Sequence, residues 1–175
     1  VRLATSHRCV RAQPIPKRRG LTSNFRIFCL ASAGLEQQNH AFVVDAMAEQ
    51  VKTMLHALDQ LEQHGFAFPE RRIAILTTED RFALGDRIVA QLGGVVVARA
   101  LLEHPYYNQG LRFQIAARSN EGIEIPLIDG GAFDWVAKLT SNRRVVFVAS
   151  GLGSQLVPLM FRRPTDNGAP VAARK

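Results

Sequence analysis

Cysteine is nearly absent from this sequence: Cys9 and Cys29 are the two in 175 residues. Neither has a Cys or His partner at metal-ligand spacing, so the pattern excludes a zinc ribbon and a disulfide-built scaffold. Both read as small apolar strand residues, and the expected compartment is the cytoplasm. Histidine is scattered as His7, His40, His56, His64 and His104, with no pair at zinc spacing. No metal site is expected, and His56 and His64 read as helix-surface residues. No apolar run approaches the roughly 20 residues needed to span a bilayer. No apolar segment follows the basic N-terminus, so no signal peptide is read there and no membrane partner is expected. Val1 in place of Met reads as processing or a fragment with residues missing upstream. Internal repeats are lacking, and Ser150-Gly151-Leu152-Gly153-Ser154 lacks the order of a nucleophile elbow.

Acid is missing from the beginning of the chain. Arg2, Arg8, Arg11, Lys17, Arg18, Arg19 and Arg26 precede the first carboxylate, and Arg162, Arg163, Arg174 and Lys175 form a second basic group. The net charge of +7 and pI near 10.2 favour anionic partners: nucleotide, tRNA or an acidic protein. With 47% hydrophobic and 21% charged residues, the composition is that of an ordinary globular domain with one core.

Residues 1–12 read as a strand, and Phe25 to Ser32 as its partner. The loop from Pro14 to Asn24 joins them, because Pro14 and Pro16 remove ladder donors and Gly20 permits a turn. Val44, Met47, Val51, Met54, Leu55, Leu58 and Leu61 recur at three- and four-residue steps, which predicts a helix capped by Asn39 and ended by Gly65. A strand from Arg72 to Leu76 leads to a second helix through Leu92. Thr77 and Asp80 are its expected capping box, and Gly93-Gly94 its stop. Val95 to Leu102 reads as another strand and completes a β-α-β unit.

Leu111 to Arg118 alternates strictly, with Leu111, Phe113, Ile115 and Ala117 on one face and Arg112, Gln114 and Arg118 on the other. The turn Ser119 to Gly122 makes a hairpin with Ile123 to Ile128. Gly130-Gly131 then reads as a turn into a short helix around Phe133 to Leu139. Arg144 to Ser150 is the last expected strand, with Gly151-Leu152-Gly153 opening a final helix through Met160. The expected fold class is α+β, a mostly antiparallel sheet with helices packed on it. Residues 1–163 read as one domain and 164–175 as a disordered basic tail.

Four constellations recur in a specific order. His7-Arg8-Cys9-Val10-Arg11-Ala12-Gln13, the basic loop and Phe25 come first; Tyr106-Tyr107-Asn108-Gln109-Gly110 runs into the alternating strand. Asp129-Gly130-Gly131-Ala132-Phe133-Asp134 and Ser150-Gly151-Leu152-Gly153 follow. Each is weak alone. Together, over about residues 1–160, they resemble the catalytic core of class II histidyl-type aminoacyl-tRNA synthetases. That family has a Phe-Arg-x-Glu motif 2 strand, a Tyr-Tyr-Thr-Gly segment, a Gly-Gly-Gly-Arg-Tyr-Asp turn and a Gly-Leu-Glu-Arg motif 3 helix.

The resemblance implies a class II synthetase-like core in which Arg11 binds an α-phosphate. It places Tyr106 and Tyr107 along an amino-acid pocket, lets backbone approach a ligand at Gly130 and Gly131, and brings Lys17, Arg18 and Arg19 towards nucleic acid. Gln13 and Asp129 complete the implied ligand-binding set.

The departures bear on function. Gln13 stands at the motif 2 glutamate, Gly20-Leu21-Thr22-Ser23-Asn24-Phe25 replaces a loop with two arginines and an acid, and the histidine-recognising positions fall near Arg26, Ile27 and Ala31. Ala132 stands where the Gly-Gly turn of the family carries an arginine. Ser154 stands where motif 3 has the arginine that grips a γ-phosphate, and no Ser or Gln supplies a cationic fork. Such losses cost many orders of magnitude in adenylation. No catalytic residue is therefore assigned, the cofactor is left unknown, and an ATP or adenylate site is weakened.

The expected function is that of a non-charging paralogue, similar to the regulatory subunit of ATP phosphoribosyltransferase, binding an amino acid- or nucleotide-like small molecule or a partner protein. A homodimer is expected if motif 1 lies upstream. Alternatives left open are an enzyme activating or transferring another amino acid, a tRNA- or RNA-binding module built on the basic loop, and an unrelated α+β domain in which these residues only pack. Pyrophosphate exchange would single out the enzyme, and steeply salt-dependent binding the nucleic-acid module.

Overall fold

The computed structural model describes residues 1–12, 14, 22–103 and 106–164. Its elements are β1 (Arg2–Val10), β2 (Asn24–Leu35), α1 (Ala41–Gln63), β3 (Arg72–Thr77), α2 (Phe82–Leu92), β4 (Val97–Leu101), β5 (Leu111–Arg118), β6 (Glu124–Phe133), α3 (Trp135–Leu139), β7 (Val145–Gly153) and α4 (Leu156–Met160). The seven strands form one sheet in the order β1-β2-β7-β6-β5-β3-β4. Only β3 and β4 are parallel, joined through α2 as the β-α-β pattern predicts; every other neighbouring pair is antiparallel. The α+β class is as expected.

Val44, Met47, Val51, Met54 and Leu58 of α1 are fully buried, on the face their spacing predicts. With Leu84, Ile88 and Leu92 of α2 they cover one face of the sheet, packing on Ile73, Ile75, Phe113, Ile115, Ile128 and Val148. Each such fully buried side chain contributes about 1.5–3 kcal/mol. Gln50 of α1, also buried, donates to the Ser32 hydroxyl (3.2 Å) and the Val148 carbonyl (3.0 Å), which ties the helix to β2 and β7. The opposite sheet face carries neither long helix.

Both expected helix caps are corrected. Asn39 and His40 lie in the left-handed region (φ 55° and 57°) and make no side-chain cap. The Glu36 carboxylate does the work instead, accepting from the backbone N–H groups of Gln37 (2.9 Å) and Phe42 (3.1 Å). A carboxylate there satisfies donors the helix leaves unpaired and complements its positive end. Thr77 is the buried last residue of β3 and cannot cap. The neighbouring Thr78 hydroxyl donates to Asp80 (2.6 Å) across a 3-10 turn that precedes α2.

Gly130-Gly131, expected as a turn, and Gly151-Leu152-Gly153, expected to open the final helix, both lie in strands. Gly130 and Gly131 sit inside β6, which runs on to Phe133. Gly151, Leu152 and Gly153 are the last residues of β7, and α4 begins three residues later at Leu156. Antiparallel neighbours hold both segments extended despite their glycine content: Gly130 and Gly131 pair with Ser150 and Ala149, and Gly151 with Cys29 and Asp129. The strand expected at Val95 to Leu102 is shorter, and β2 runs on to Leu35. Pro164 is exposed, and the tail expected from there lies outside the described residues from 165 on.

Candidate ligand-binding cleft

The cleft arises from a run of small side chains on the open face of the sheet. Strand pairing sets Thr5, Cys29, Gly151, Asp129 and Gln114 in one row across it. The next row is Leu3, Ala31, Ala149, Gly131 and Arg112, and the one after it Ala33, Phe147 and Phe133. Cys29, Ala31, Ala149 and Gly151 leave a shallow floor, and the third row raises an aromatic wall beside it. The resulting cleft of about 540 Å³ is lined by Arg11, Phe25, Ile27, Cys29, Leu30, Ala31, Tyr106, Tyr107, Asp129, Phe133, Trp135, Phe147, Ala149, Ser150 and Gly151. That volume suits a single small ligand.

The wall is assembled by the segment between β4 and β5 and by α3. Gly110, at φ 70°, donates its N–H to the Tyr107 carbonyl (2.9 Å) and closes the turn that begins at Tyr107. Asn108 then clamps that turn to the start of α3, donating its amide to Asp134 (2.6 Å) and accepting from the Asp134 N–H (3.0 Å). Lys138 pairs with the same carboxylate at 2.8 Å and, with the Asn108 bond, holds it below the ordinary aspartate range. Trp135 stacks on Phe133 at 4.1 Å, and Tyr106 meets Tyr107, Phe133 and Trp135 edge-on at 5.1, 5.5 and 5.9 Å. Tyr107 and Phe133 are buried, whereas Tyr106 is 54% and Trp135 42% exposed at the rim.

Behind the wall, Arg112 of β5 grips Asp129 of β6 with both forks, Nε to Oδ1 at 2.9 Å and Nη2 to Oδ2 at 2.8 Å. Its guanidinium also lies 5.1 Å from the Tyr107 ring centroid. The bond to Asp129 raises the Arg112 pKa despite partial burial. Burial pushes the Tyr107 phenol up, and the neighbouring Asp129 carboxylate, which accepts its hydrogen bond, adds to the shift. Both shifts keep the Arg112 guanidinium charged and the Tyr107 hydroxyl protonated at neutral pH. At the far edge, the Arg11 N–H donates to the Ser23 carbonyl (2.7 Å) and its guanidinium lies 5.0 Å from the Phe25 ring centroid.

The structure therefore brings Arg11, Tyr106, Tyr107 and Asp129 into one cleft. Gly130 and Gly131 lie beside it in β6 without lining it. A Cβ on Gly130 would meet the Phe113 ring on the helix-covered face, and one on Gly131 would fall on the Tyr107 ring and the Leu111 carbonyl. Their small size makes room for the protein's own aromatics. Gln13, Lys17, Arg18 and Arg19 lie outside the described residues.

Ala132 is fully buried opposite Val148, and Ser154 lines a separate apolar groove with Phe28, Leu61 and Phe66. Neither position adds charge to the cleft. Among the described residues no three His, Cys, Asp or Glu side chains cluster as metal ligands, and no helix is long and apolar enough to cross a membrane.

Sequence reasoning missed Arg112, Trp135 and Phe147. Arg112 stood on the polar face of a well-predicted strand. Its partner depended on the β5–β6 register, which a bulge alters: Ala116 pairs with Pro126, but Ile115 pairs with Ile128, leaving Leu127 extra. Trp135 follows a segment read as a turn, so its proximity to Tyr106 had no local signal.

No family model and no curated protein matches this sequence. Solved structures do match in fold. The apo histidyl-tRNA synthetase of S. aureus aligns with a TM-score of 0.56 at 14% identity, covering 76% of this chain and 38% of that one. A structure described as the RNA binding domain of threonyl-tRNA synthetase from Cryptosporidium parvum Iowa II gives 0.57 at 15%, covering 87% and 40%. An ATP phosphoribosyltransferase regulatory subunit/histidyl-tRNA synthetase from Bacillus halodurans gives 0.58 at 14%, covering 87% and 56%. The chain spans less than two thirds of the length of each. At these identities the likeness establishes a class II synthetase-like fold.

Proposed function

We propose that this chain is a non-charging relative of the histidyl-type class II synthetases, holding an amino acid- or nucleotide-like small molecule in the cleft and acting in a regulatory role on a protein partner. The charge inventory of the cleft carries the reading. Among its described lining residues Arg11 is the sole cation and Asp129 the sole anion, and Asp129 is already taken by Arg112. Positioning a triphosphate for adenylyl transfer calls for several cationic groups acting together. One arginine suits a single carboxylate or phosphate. The likeness to the Bacillus halodurans ATP phosphoribosyltransferase regulatory subunit/histidyl-tRNA synthetase supports the partner half of the proposal, as does the net positive charge. A homodimeric, cytoplasmic protein belongs to the same reading.

ATP–pyrophosphate exchange measured with each of the 20 amino acids tests it. No exchange above background is expected, while calorimetry with amino acids and nucleotides should find a ligand whose affinity drops at least tenfold in Arg11→Ala. Exchange that is abolished by Arg11→Ala would instead make the chain a working class II enzyme.

A further inference from the structure

Of the two edges of the sheet, the one formed by β1 is long, regular and open. Its nine residues pair with β2 without a bulge, from Arg2 opposite Ser32 to Val10 opposite Asn24. The ends of the ladder set its phase. The Val1 amino group donates to the Ala33 carbonyl (2.7 Å), the Val1 carbonyl accepts from the Ala33 N–H (2.9 Å), and the Arg11 N–H donates to the Ser23 carbonyl. Bonded and non-bonded pairs alternate along an antiparallel ladder, so the odd-numbered residues of β1 bond to β2. The backbone N–H and C=O groups of Arg2, Ala4, Ser6, Arg8 and Val10 therefore point away from the sheet, where no described strand lies. Natural sheets blunt such an edge with a bulge, a proline, a short strand or charge. Here charge alone guards it.

That charge is of one sign. Arg8 lies directly opposite Arg26, in a pair that is not hydrogen-bonded and so has the closer of the two cross-strand spacings. Like charges placed in this way destabilise a sheet. Neither guanidinium has a hydrogen bond or ion pair, whereas Arg2 is held by Glu49 at 2.6 Å. No carboxylate precedes Glu36 in the sequence. Both arginines share the helix-covered face, because Phe28, two residues beyond Arg26, packs on the core there. A cation pair without an anion thus lies beside a row of backbone groups without a strand.

A second copy of the chain fits this edge poorly. Two-fold pairing of β1 with itself sets arginines of the two copies opposite or diagonal in every register that covers most of the strand. Nucleic acid fits poorly as well, since the outward carbonyl oxygens repel phosphate. An extended peptide satisfies N–H and C=O groups alike, and its acidic side chains complement Arg8 and Arg26. Building on the reading that the chain acts on a protein partner, we propose that the outer edge of β1 receives an acidic, extended segment of that partner as an added strand. Main-chain bonds to the five outward residues supply affinity, and the arginine pair selects for acid. This surface is separate from the cleft and its ligand.

Fluorescence anisotropy of a labelled peptide of roughly eight residues, alternating glutamate and valine, follows binding to the full chain. The peptide should bind saturably. The same peptide N-methylated at alternate amides, and a lysine–valine counterpart, should each bind at least tenfold more weakly. Ser6→Pro removes one outward N–H and no bond to β2, so it should weaken binding about tenfold. Arg8→Gln should weaken it severalfold, and thermal melts establish that both variants are folded. Equal binding of the N-methylated peptide, or unchanged affinity in a folded Ser6→Pro, reduces the contact to charge attraction and overturns the proposal. Tighter binding of polyuridylate that survives Ser6→Pro, or a dimer in sedimentation that Ser6→Pro dissolves, overturns it in favour of RNA or a second copy. Silence of the peptide at low salt and millimolar concentration overturns it and leaves the cleft reading standing, because pyrophosphate exchange and ligand calorimetry probe other atoms.

Discussion

Arg112 and Asp129 show how a side chain acts on a cleft it does not line. The guanidinium occupies both carboxylate oxygens and lies against the Tyr107 ring, so it fixes the orientation of two lining residues. Arg112 has 22% of its side chain exposed and Asp129 42%, so solvent screens the pair in part. Arg112→Leu leaves the carboxylate with Tyr107 and water as its partners. The expected loss is about 1–2 kcal/mol of unfolding free energy in urea, with weaker binding of any cleft ligand, because Tyr107 loses its brace. A variant as stable as the parent would mean that the ion pair contributes nothing to the fold.

At the scale of the element, β6 decides the site. If the pairing of Arg118 with Glu124 continued unchanged along the hairpin, Asp129 would lie opposite Phe113 and face the core. The extra residue Leu127 shifts the register by one, so that Gly130 faces Phe113 and Asp129 lies opposite Gln114 on the open face. Pro126 is accommodated at the same place, because β7 pairs with β6 only from Ile128 onwards. Gly131 is the most constrained position of the strand. Gly131→Ala would drive a methyl into both the Tyr107 ring and the Leu111 carbonyl, and the carbonyl, being backbone, cannot swing aside. The expected cost is about 2–3 kcal/mol in denaturant unfolding, together with displacement of Tyr107, visible as a change in Trp135 fluorescence. Gly65→Asn is the control, since nothing lies within 4 Å of a Cβ there and Asn tolerates positive φ. That variant should cost about 1 kcal/mol, less than Gly131→Ala, because only the positive φ of 86° opposes it.

For the whole molecule, a clasp away from the cleft joins α1, the approach to β3 and the end of α4. Arg71 bridges Asp59 (2.5 Å) and Glu62 (2.9 Å) of α1, and Glu62 accepts from the Phe68 N–H (3.1 Å). Phe68 in turn stacks on Phe161 at 5.1 Å, next to α4. Desolvation pushes the Glu62 pKa up, but the Phe68 N–H and Arg71 outweigh it and leave the carboxylate below its ordinary value. Its stabilisation is thus present above the ordinary glutamate range and is lost as pH falls through the lowered folded-state pKa. Thermal melts from pH 7 to pH 3 should show the parent losing stability on acidification. Glu62→Gln should melt lower at pH 7 and decline less steeply; parallel slopes would show that Glu62 is not part of the acid response.

Helix α1, the alternating strand β5, the β-α-β unit and the α+β class were all legible in the sequence, because each follows from a local period of apolar residues. Arg11, Tyr106, Tyr107 and Asp129 were legible as candidates through their order along the chain. The bounds of β6 and β7 were not. Their glycines read locally as a turn in β6 and as a helix start in β7, and only pairing with neighbours distant in sequence keeps them extended. The cleft itself was decided by tertiary structure alone. Its floor comes from small residues of β2 and β7 that share rows across the sheet, its anion reaches the open face through a single-residue bulge, and its aromatic wall joins the segment before β5 to α3. Periodicity specifies which face of an element is apolar. Which strand lies beside which, and in what register, depends on contacts between residues far apart in the chain.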